Sequence, residues 1–437
     1  MKLTSLLPLL PLLAGAQACL TPAELQGGHI ARRTTGTTPP ANNTNTIPVG
    51  KGDRFRNGAS FPRGIGTQPT ANFTTIFNLV ELRSAVKGLA KEYGIVPFES
   101  PFKTVQHNTI YGAKLGNTSS TFFHVLLQAG LHARERGAPD TLLYFIGDLL
   151  YADKHHTGLQ YGGVSYTLDD VHAALLNGLV ILPALNPDGI AYDQATDACW
   201  RKNRNPASAT SGNPATVGVD LNRNFAPVWD FAHALAPGIQ AASTDPASEI
   251  FAGTGPLSEP ETKSVDWVMD GLPNLGWMVD IHQPAGVVLH GWCHDSNQAT
   301  DPSQNLLNPA YDGKRGVVPD VPGLAYKEYK QLTEWDVEVL TAGRMADAMT
   351  DATGRPYVAL QGPHLYPSSG CSADHGNWRN AVNSTRHRVH GLGVEAGAPN
   401  LDADCPFYPT VDMHRLNIID TSVALMEALL SAARHKW

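Results

Sequence analysis

The sequence predicts an α/β fold: a mixed, largely parallel twisted sheet with helices on both faces, built as a single domain. Three observations predict it. From about residue 77 onward, short apolar runs of strand character alternate with helix-period stretches, the pattern of strands joined by helical crossovers. Of 437 residues, 42% are hydrophobic and 16% charged, which supplies a large core and excludes a disordered chain. No linker-like break in composition and no internal repeat divides residues 71–437.

The first 18 residues combine a basic start at Lys2, a short apolar core from Leu6 to Leu13 and small residues up to Ala18. That is the form of a secretory signal peptide. A lipoprotein anchored through Cys19 is the alternative, disfavoured by Gln17. No later apolar run approaches a membrane span, so the expected product is secreted, extracellular and without membrane association. Asn42, Asn72, Asn117 and Asn383 each begin a glycosylation sequon, consistent with that route. Five Cys in an oxidising compartment suggest two disulfides and one leftover thiol, with Cys19 the candidate leftover.

Residues 19–70 are rich in Thr, Pro, Asn and Gly and lack apolar periodicity, so they read as a flexible leader without a folded pro-domain. The domain then runs from 71 to 437. Leu79, Leu82, Val86, Leu89 and Tyr93 fall at helical spacing. The run from Thr121 to Gly130 is β-branched and aromatic and reads as a buried strand. Pro139 to Asp153 is a buried helix with Pro near its start. Leu179 to Leu185 and Trp277 to His282 are strand-like. Ser258-Glu-Pro-Glu261 has the form of a capping box opening a helix through Met269. Trp335–Thr353 and Val411–Arg434 are expected as two long helices.

A net charge of -8, with no clustered Lys/Arg run, excludes a phosphate-tracking surface and hence nucleic acid as a partner. A monomer is expected. The chemistry-bearing residues stand at strand ends. His132 and Glu135 follow the first strand, and an imidazole and a carboxylate three residues apart can converge on one ion. A solvated loop pair would look the same. His282 closes a second strand and Glu395 the apolar run from Val389. In open α/β sheets ligands bind beyond the carboxyl ends of strands, so these residues are placed where they could meet. Two His and one Glu form a catalytic zinc set with one position left open. Between them lie Asn186-Pro-Asp-Gly189, a turn by itself, then Trp200-Arg-Lys-Asn-Arg204 and Gly218-Val-Asp-Leu-Asn-Arg-Asn-Phe225.

Taken in order, His132-x-x-Glu135, Asn186-Pro-Asp-Gly, Arg201-x-x-Arg204, Asp220-x-Asn222-Arg223, His282, Tyr366 and Glu395 resemble the zinc metallocarboxypeptidases of the carboxypeptidase A type. The resemblance, to secreted and fungal-like members, runs from end to end of the catalytic domain. It implies one Zn2+ held by His132, Glu135 and His282, with Asp220 orienting a ligand imidazole. It implies Glu395 as the general base acting on water acidified by the metal, and Arg204 as oxyanion stabiliser. Asn222, Arg223 and Tyr366 would clamp the free C-terminal carboxylate of a peptide or protein substrate, a group that a planar guanidinium binds through both oxygens. Arg201 and Arg134 would line the approach and outer subsites. Two other readings stand beside this one: an amidase or deacylase acting on a non-peptide substrate, and an inactive binding protein with the same fold. The presence of Glu395 argues against the latter.

Aligned on Tyr366-x-x-x-Gly370, Ala373 occupies the position that separates aliphatic-pocket relatives from those with an acid for Lys or Arg. Ala373 and Gly393 predict a roomy, mainly apolar pocket, suited to bulky C-terminal residues such as Phe or Leu. Asp280, on the same strand face as His282, must be paired inside the protein or wait for a cationic side chain. The Asp-, Asn-, Pro- and Gly-rich stretch from His294 to Tyr329 departs from the family pattern and is expected at the cleft rim. His290, Cys293 and His294 could form a second metal site, but Cys293 is better assigned to a disulfide, with Cys371 the suggested partner.

Overall fold

The apolar runs form one sheet. A computed structural model describes residues 45–116, 122–318 and 321–435. The signal peptide, Cys19, Asn42 and Asn117 lie outside these residues. The strands, in chain order, are β1 (Val96–Lys103), β2 (Thr109–Leu115), β3 (Val125–Ala129), β4 (Leu159–Tyr161), β5 (Val164–Tyr166), β6 (Leu179–Leu182), β7 (Trp277–His282), β8 (Val287–His290), β9 (Asn297–Gln298), β10 (Glu328–Tyr329), β11 (Val358–Gln361) and β12 (His390–Glu395). Eight of them make the main sheet, ordered β1-β2-β6-β3-β7-β12-β8-β11. β6, β3, β7 and β12 are parallel neighbours, while β1, β2 and β8 add antiparallel pairings. The mixed, largely parallel sheet agrees with the fold class read from the sequence.

The period-2 geometry of a strand divides its side chains between two cores. Trp277, Val279 and Ile281 of β7, with Leu392 and Val394 of β12, face a large cluster with the helices Leu79–Tyr93, Ala138–His155, Leu332–Thr353 and Val411–Arg434. Met278 faces a second cluster with Leu221, Phe225 and the helix Pro260–Asp270. Asp280 and His282, with Gly393 and Glu395, share the face of Met278. Parallel pairing of β3, β7 and β12 brings the carboxyl ends of all three to one edge of the sheet. That edge carries the site.

Four sequence expectations need correction. Residues 45–70 are not a flexible leader. Ile47, Phe55 and Ile65 are buried, the Ile47 N–H donates to the Pro409 carbonyl (2.8 Å), and the buried Asp148 carboxylate accepts from the Gly64 and Gly66 N–H groups, both at 2.8 Å. Single apolar residues and long-range polar contacts hold this stretch, so it lacks the periodicity that would have revealed it. The capping box at Ser258 does not form. Glu259 is the N-cap and uses no side-chain cap bond, while Glu261 is buried behind Asn203 (3.2 Å), where burial pushes its carboxyl up to about 8. Asn186 is more than a turn residue: its Oδ1 accepts from Gly189 N–H at 2.9 Å and caps the helix Pro187–Thr196. The helix Val411–Arg434 is long and apolar enough by length and composition to cross a membrane, yet 83% of its apolar window is buried in the protein.

The stretch after His294 is anchored rather than loose. β9 pairs with β10, His294 Nε2 lies 2.8 Å from Glu328, and the buried Arg315 donates to Asp312 (2.6 Å) and to the Asn308 carbonyl (2.8 Å). With Trp292 and Arg388 it lines a separate cavity of about 330 Å³.

Candidate active site

β3 stops because Gly130 takes φ +76°, a conformation that costs a side-chain-bearing residue but not Gly. The chain then turns through Leu131 to His132, held by Asn186, whose Nδ2 donates to the carbonyls of Leu131 (3.0 Å) and Lys202 (3.2 Å). One capping residue thereby ties the His132 loop to the Trp200–Arg204 segment.

His132 Nδ1 lies 2.7 Å from Glu135 Oε1, His282 Nδ1 lies 2.9 Å from Glu135 Oε2, and the two Nδ1 atoms are 3.2 Å apart. All three residues are buried, and their donor atoms fall within 4.8 Å of one another. Zinc bonds of about 2.0–2.1 Å in tetrahedral geometry space their ligand atoms by roughly 3.3 Å, so the donor set fits zinc in chemistry and in size. The remaining ring nitrogens are committed to carboxylates. His132 Nε2 meets Asp220 Oδ1 at 3.1 Å, and His282 Nε2 meets Asp280 Oδ2 at 3.0 Å. Each imidazole therefore turns Nδ1 toward the centre, the arrangement of carboxylate–histidine–metal triads.

The charges are arranged to survive burial. Desolvation opposes ionisation of Glu135, yet His132 and His282 hold its carboxyl well below the usual range. Asp220 is likewise held low against its burial, chiefly by Arg201, whose Nε and Nη2 donate to Asp220 Oδ2 at 3.1 and 2.9 Å. Arg201 Nη1 also lies 3.3 Å from His132 Nδ1. Arg204 is elsewhere. Its half-buried guanidinium stacks on the rings of Tyr192 (3.7 Å) and Trp200 (4.5 Å), and its Nε and Nη1 make no hydrogen bond. Of the two arginines, it is Arg201 that touches the triad.

Asp280 does not stand open to a cationic substrate as one branch of the sequence reading had it. Its Oδ2 accepts from Ser372 Oγ as well as facing His282, while Oδ1 is buried without a protein donor. Ser372, which the sequence reading missed, also donates its N–H to Asn222 Oδ1 at 2.8 Å. It sits one residue before Ala373, and only the contact across 92 residues reveals its role.

Glu395 is buried and stands opposite His282 in the parallel β12–β7 ladder. Asn222, Arg223 and Tyr366, expected to clamp a substrate carboxylate, line the same cavity as Glu395. Arg223 donates from Nε to the Ala241 carbonyl (2.8 Å) and from Nη1 to the Asn222 carbonyl (2.7 Å), and its guanidinium lies 5.7 Å from the Tyr366 ring. Gly370 makes this approach possible. At φ +61° it lies so close that a Cβ there would be 2.3 Å from the Arg223 carbonyl oxygen.

Asn222, Arg223, Tyr366, Asp280, His282 and Glu395 all face one cavity of about 50 Å³. Ala373 and Gly393 line it as expected, and so do Cys293 and Cys371, joined in a disulfide. A second disulfide joins Cys199 to Cys405. His290 and His294 turn to other partners, Gly291 and Glu328, and the Cys293 sulfur is in the disulfide, so these three residues do not converge on one ion. Arg134 is buried against the Phe407 ring at 3.9 Å, with Glu249 3.8 Å away.

A sequence profile described as zinc carboxypeptidase matches residues 83–385. The chain is 26% identical to carboxypeptidase B of Astacus astacus over 232 residues, 53% of this chain and 68% of that one. It is 33% identical to human carboxypeptidase O over 202 residues, 45% of this chain and 47% of that one. The match thus spans about half the length of the human relative. Among solved structures, thrombin-activatable fibrinolysis inhibitor superposes with a TM-score of 0.61 at 21% identity, over 83% of this chain and 75% of the other. Carboxypeptidase A of Helicoverpa armigera gives 0.56 at 22% identity, with the same coverages. At these identities the structural likeness speaks to the fold.

Proposed function

Because the chain belongs to the zinc carboxypeptidase family, we propose that it is a secreted zinc exopeptidase that removes the last residue from peptides and proteins ending in a free carboxylate, favouring apolar C-terminal residues. His132, Glu135 and His282 would hold the metal. Zinc, when bound, supplies a Lewis acid that polarises the scissile carbonyl and lowers the pKa of water to about 7.

The rest of the chemistry belongs to side chains. Glu395, beside His282, takes the proton of the attacking water and returns it to the leaving amine. Arg223, Asn222 and Tyr366 hold the substrate carboxylate, which sets the last peptide bond at the triad. Arg204 would steady the oxyanion after leaving its aromatic stack. A half-exposed stack of this kind is worth only about 0.5–1 kcal/mol, less than the few kcal/mol that an oxyanion contact contributes. Arg201 keeps Asp220 charged and so keeps His132 oriented. Arg134 is retained as an outer-subsite residue on resemblance alone. Secretion rests on the signal-like first 18 residues and agrees with the two disulfides, which persist in oxidising compartments.

The observation that carries this reading is the convergence of two Nδ1 atoms and one carboxylate beside Glu395, at the mouth of a cavity that also contains Arg223. The test is release of free amino acids from peptides with free C-termini, with and without a chelator. Chelation should abolish release and added zinc restore it. Full activity of a metal-free preparation would overturn the proposal.

A further inference from the structure

The wall of the cavity beside the clamp is covalent. Cys293, Cys371 and Ala373 form an apolar cluster separate from the two main cores, and all three line the cavity with Leu289, Leu365 and Gly393. Ala373 and Gly393 alone would leave space there. The two sulfur atoms, bonded across the wall, occupy it.

This wall has no room to retreat. Gly362, also in the lining, lies so close to Cys293 that even a Cβ there would be 2.9 Å from the Cys293 Cα. On the Cys371 side, Gly370 donates to the Pro227 carbonyl at 2.7 Å and accepts from Phe225 N–H at 3.0 Å, while Ser368 N–H donates to the Cys293 carbonyl at 2.8 Å. The disulfide therefore joins two segments that are each fixed to the body of the protein. A ring pushing against it meets a rigid boundary, and protein interiors answer such pressure with strain rather than flow.

The size of the space gives the consequence. At about 50 Å³ the cavity is small, and the two bonded sulfurs are part of its lining, so the position of this wall bears directly on which side chains fit. Part of that space faces Glu395 and the clamp, which leaves less for the side chain.

Resting on the carboxypeptidase reading, we propose that the Cys293–Cys371 disulfide is the size filter of the site, its bonded sulfurs narrowing the space for the C-terminal side chain so that aliphatic residues such as Leu are favoured over the rings of Phe and Trp. The filter is set by the sulfur wall and not by Ala373, the position that the family resemblance singles out.

The test compares kcat/KM for otherwise identical peptides ending in Ala, Val, Leu, Phe and Trp, using the full chain loaded with zinc. Wild type should favour Leu over Phe by about tenfold or more, the scale on which apolar pockets discriminate. The double variant Cys293→Ala/Cys371→Ala, checked for folding by circular dichroism and gel filtration, should lower that ratio at least about tenfold. Should the double variant not fold, Cys293→Val/Cys371→Ala, which keeps an apolar wall without the bond, takes its place and should lower the Leu/Phe ratio in the same direction. Wild-type cleavage of Phe or Trp ends as fast as Leu ends would overturn the filter. So would an unchanged Leu/Phe ratio in whichever double variant folds. Failure to release any residue from any of these peptides would instead overturn the carboxypeptidase reading on which the filter rests.

Discussion

Glu395 stands directly opposite His282 across adjacent parallel strands, one the last residue of β12 and the other the last of β7. Neither depends on a flexible loop for its placement, so the proposed proton acceptor and the proposed metal ligand are set side by side by ladder hydrogen bonds. Glu395→Gln keeps the shape of the side chain and leaves His132, Glu135 and His282 in place. It should retain zinc and lose about 10²–10⁴-fold in kcat, the usual range for removal of a general base. Zinc content by atomic absorption, measured beside turnover, checks both halves. Near-wild-type turnover would remove Glu395 from the role of base.

Asp280 holds His282 as Asp220 holds His132. Asp280→Asn keeps the volume and loses the charge that orients the ring. Zinc affinity should fall roughly 10–100-fold, the cost typical of carboxylate partners to ligand histidines, as read by competition with a chelator. The same variant tests the other reading of this residue. If wild type strongly prefers peptides ending in Lys or Arg and Asp280→Asn loses that preference, the carboxylate is a substrate selector.

Much of this site was legible in the sequence because its key residues sit at ends of apolar runs, where strand periodicity and the strand-end rule locate them together. His132, Glu135, His282 and Glu395 are of that kind. The pairing of Asp280 was not legible, since alternation along β7 gives its face but not its partner, and Ser372 reaches it from a distant helix start. The ordered stretch from residue 45 escaped for a related reason. Its anchors are isolated residues such as Phe55 and the distant acceptor Asp148, and neither leaves a period in the sequence. The Cys293–Cys371 pair suggested from the sequence does form, but its place in the wall of the pocket was hidden, because a pairing says nothing of what the bond packs against.

Arg204 offers a test of conformational demand. Its guanidinium rests on Tyr192 and Trp200, so an oxyanion role requires it to move. Arg204→Ala should lose about 10²–10³-fold in kcat with zinc retained. A loss below about tenfold would assign the oxyanion contact elsewhere, with Arg201, already against the triad, as the next candidate.

The clamp should make the enzyme an exopeptidase. Arg223 is buried with its guanidinium toward Tyr366 and is paired only at 3.9 Å with Asp220, which Arg201 already engages, so a substrate lacking a negative terminus gives up the close counter-charge that the cavity offers room for. Amidation of the C-terminus should lower kcat/KM by about 10²-fold or more, with most of the effect in KM if the clamp acts mainly in binding. Parallel progress curves for free and amidated forms of one peptide measure it, and equal rates would rule out the carboxylate clamp.

The last expectation concerns pH and the stretch after the pocket. His294 is buried between two carboxylates, with Nε2 2.8 Å from Glu328 and Nδ1 3.7 Å from Asp374. Burial disfavours its charged form, but Asp374 and Glu328 outweigh that and push its pKa from 6.5 up to about 9. A pKa raised on folding stabilises the folded state while the group is protonated. The contribution is therefore complete below about 6.5, declines as pH rises, and is gone above about 9. A shift of this size corresponds to something on the order of 3 kcal/mol. Asp374 also accepts the Cys293 N–H at 2.7 Å, so loss of the charge loosens the backbone beside the sulfur wall. His294→Gln removes the titrating group while keeping a hydrogen-bonding side chain. Urea unfolding of wild type and variant at a series of pH values isolates the term, because other groups cancel in the difference. The stability gap should be widest near pH 6 and narrow steadily toward pH 9. A gap that stays constant over that range would show that His294 acts by packing alone.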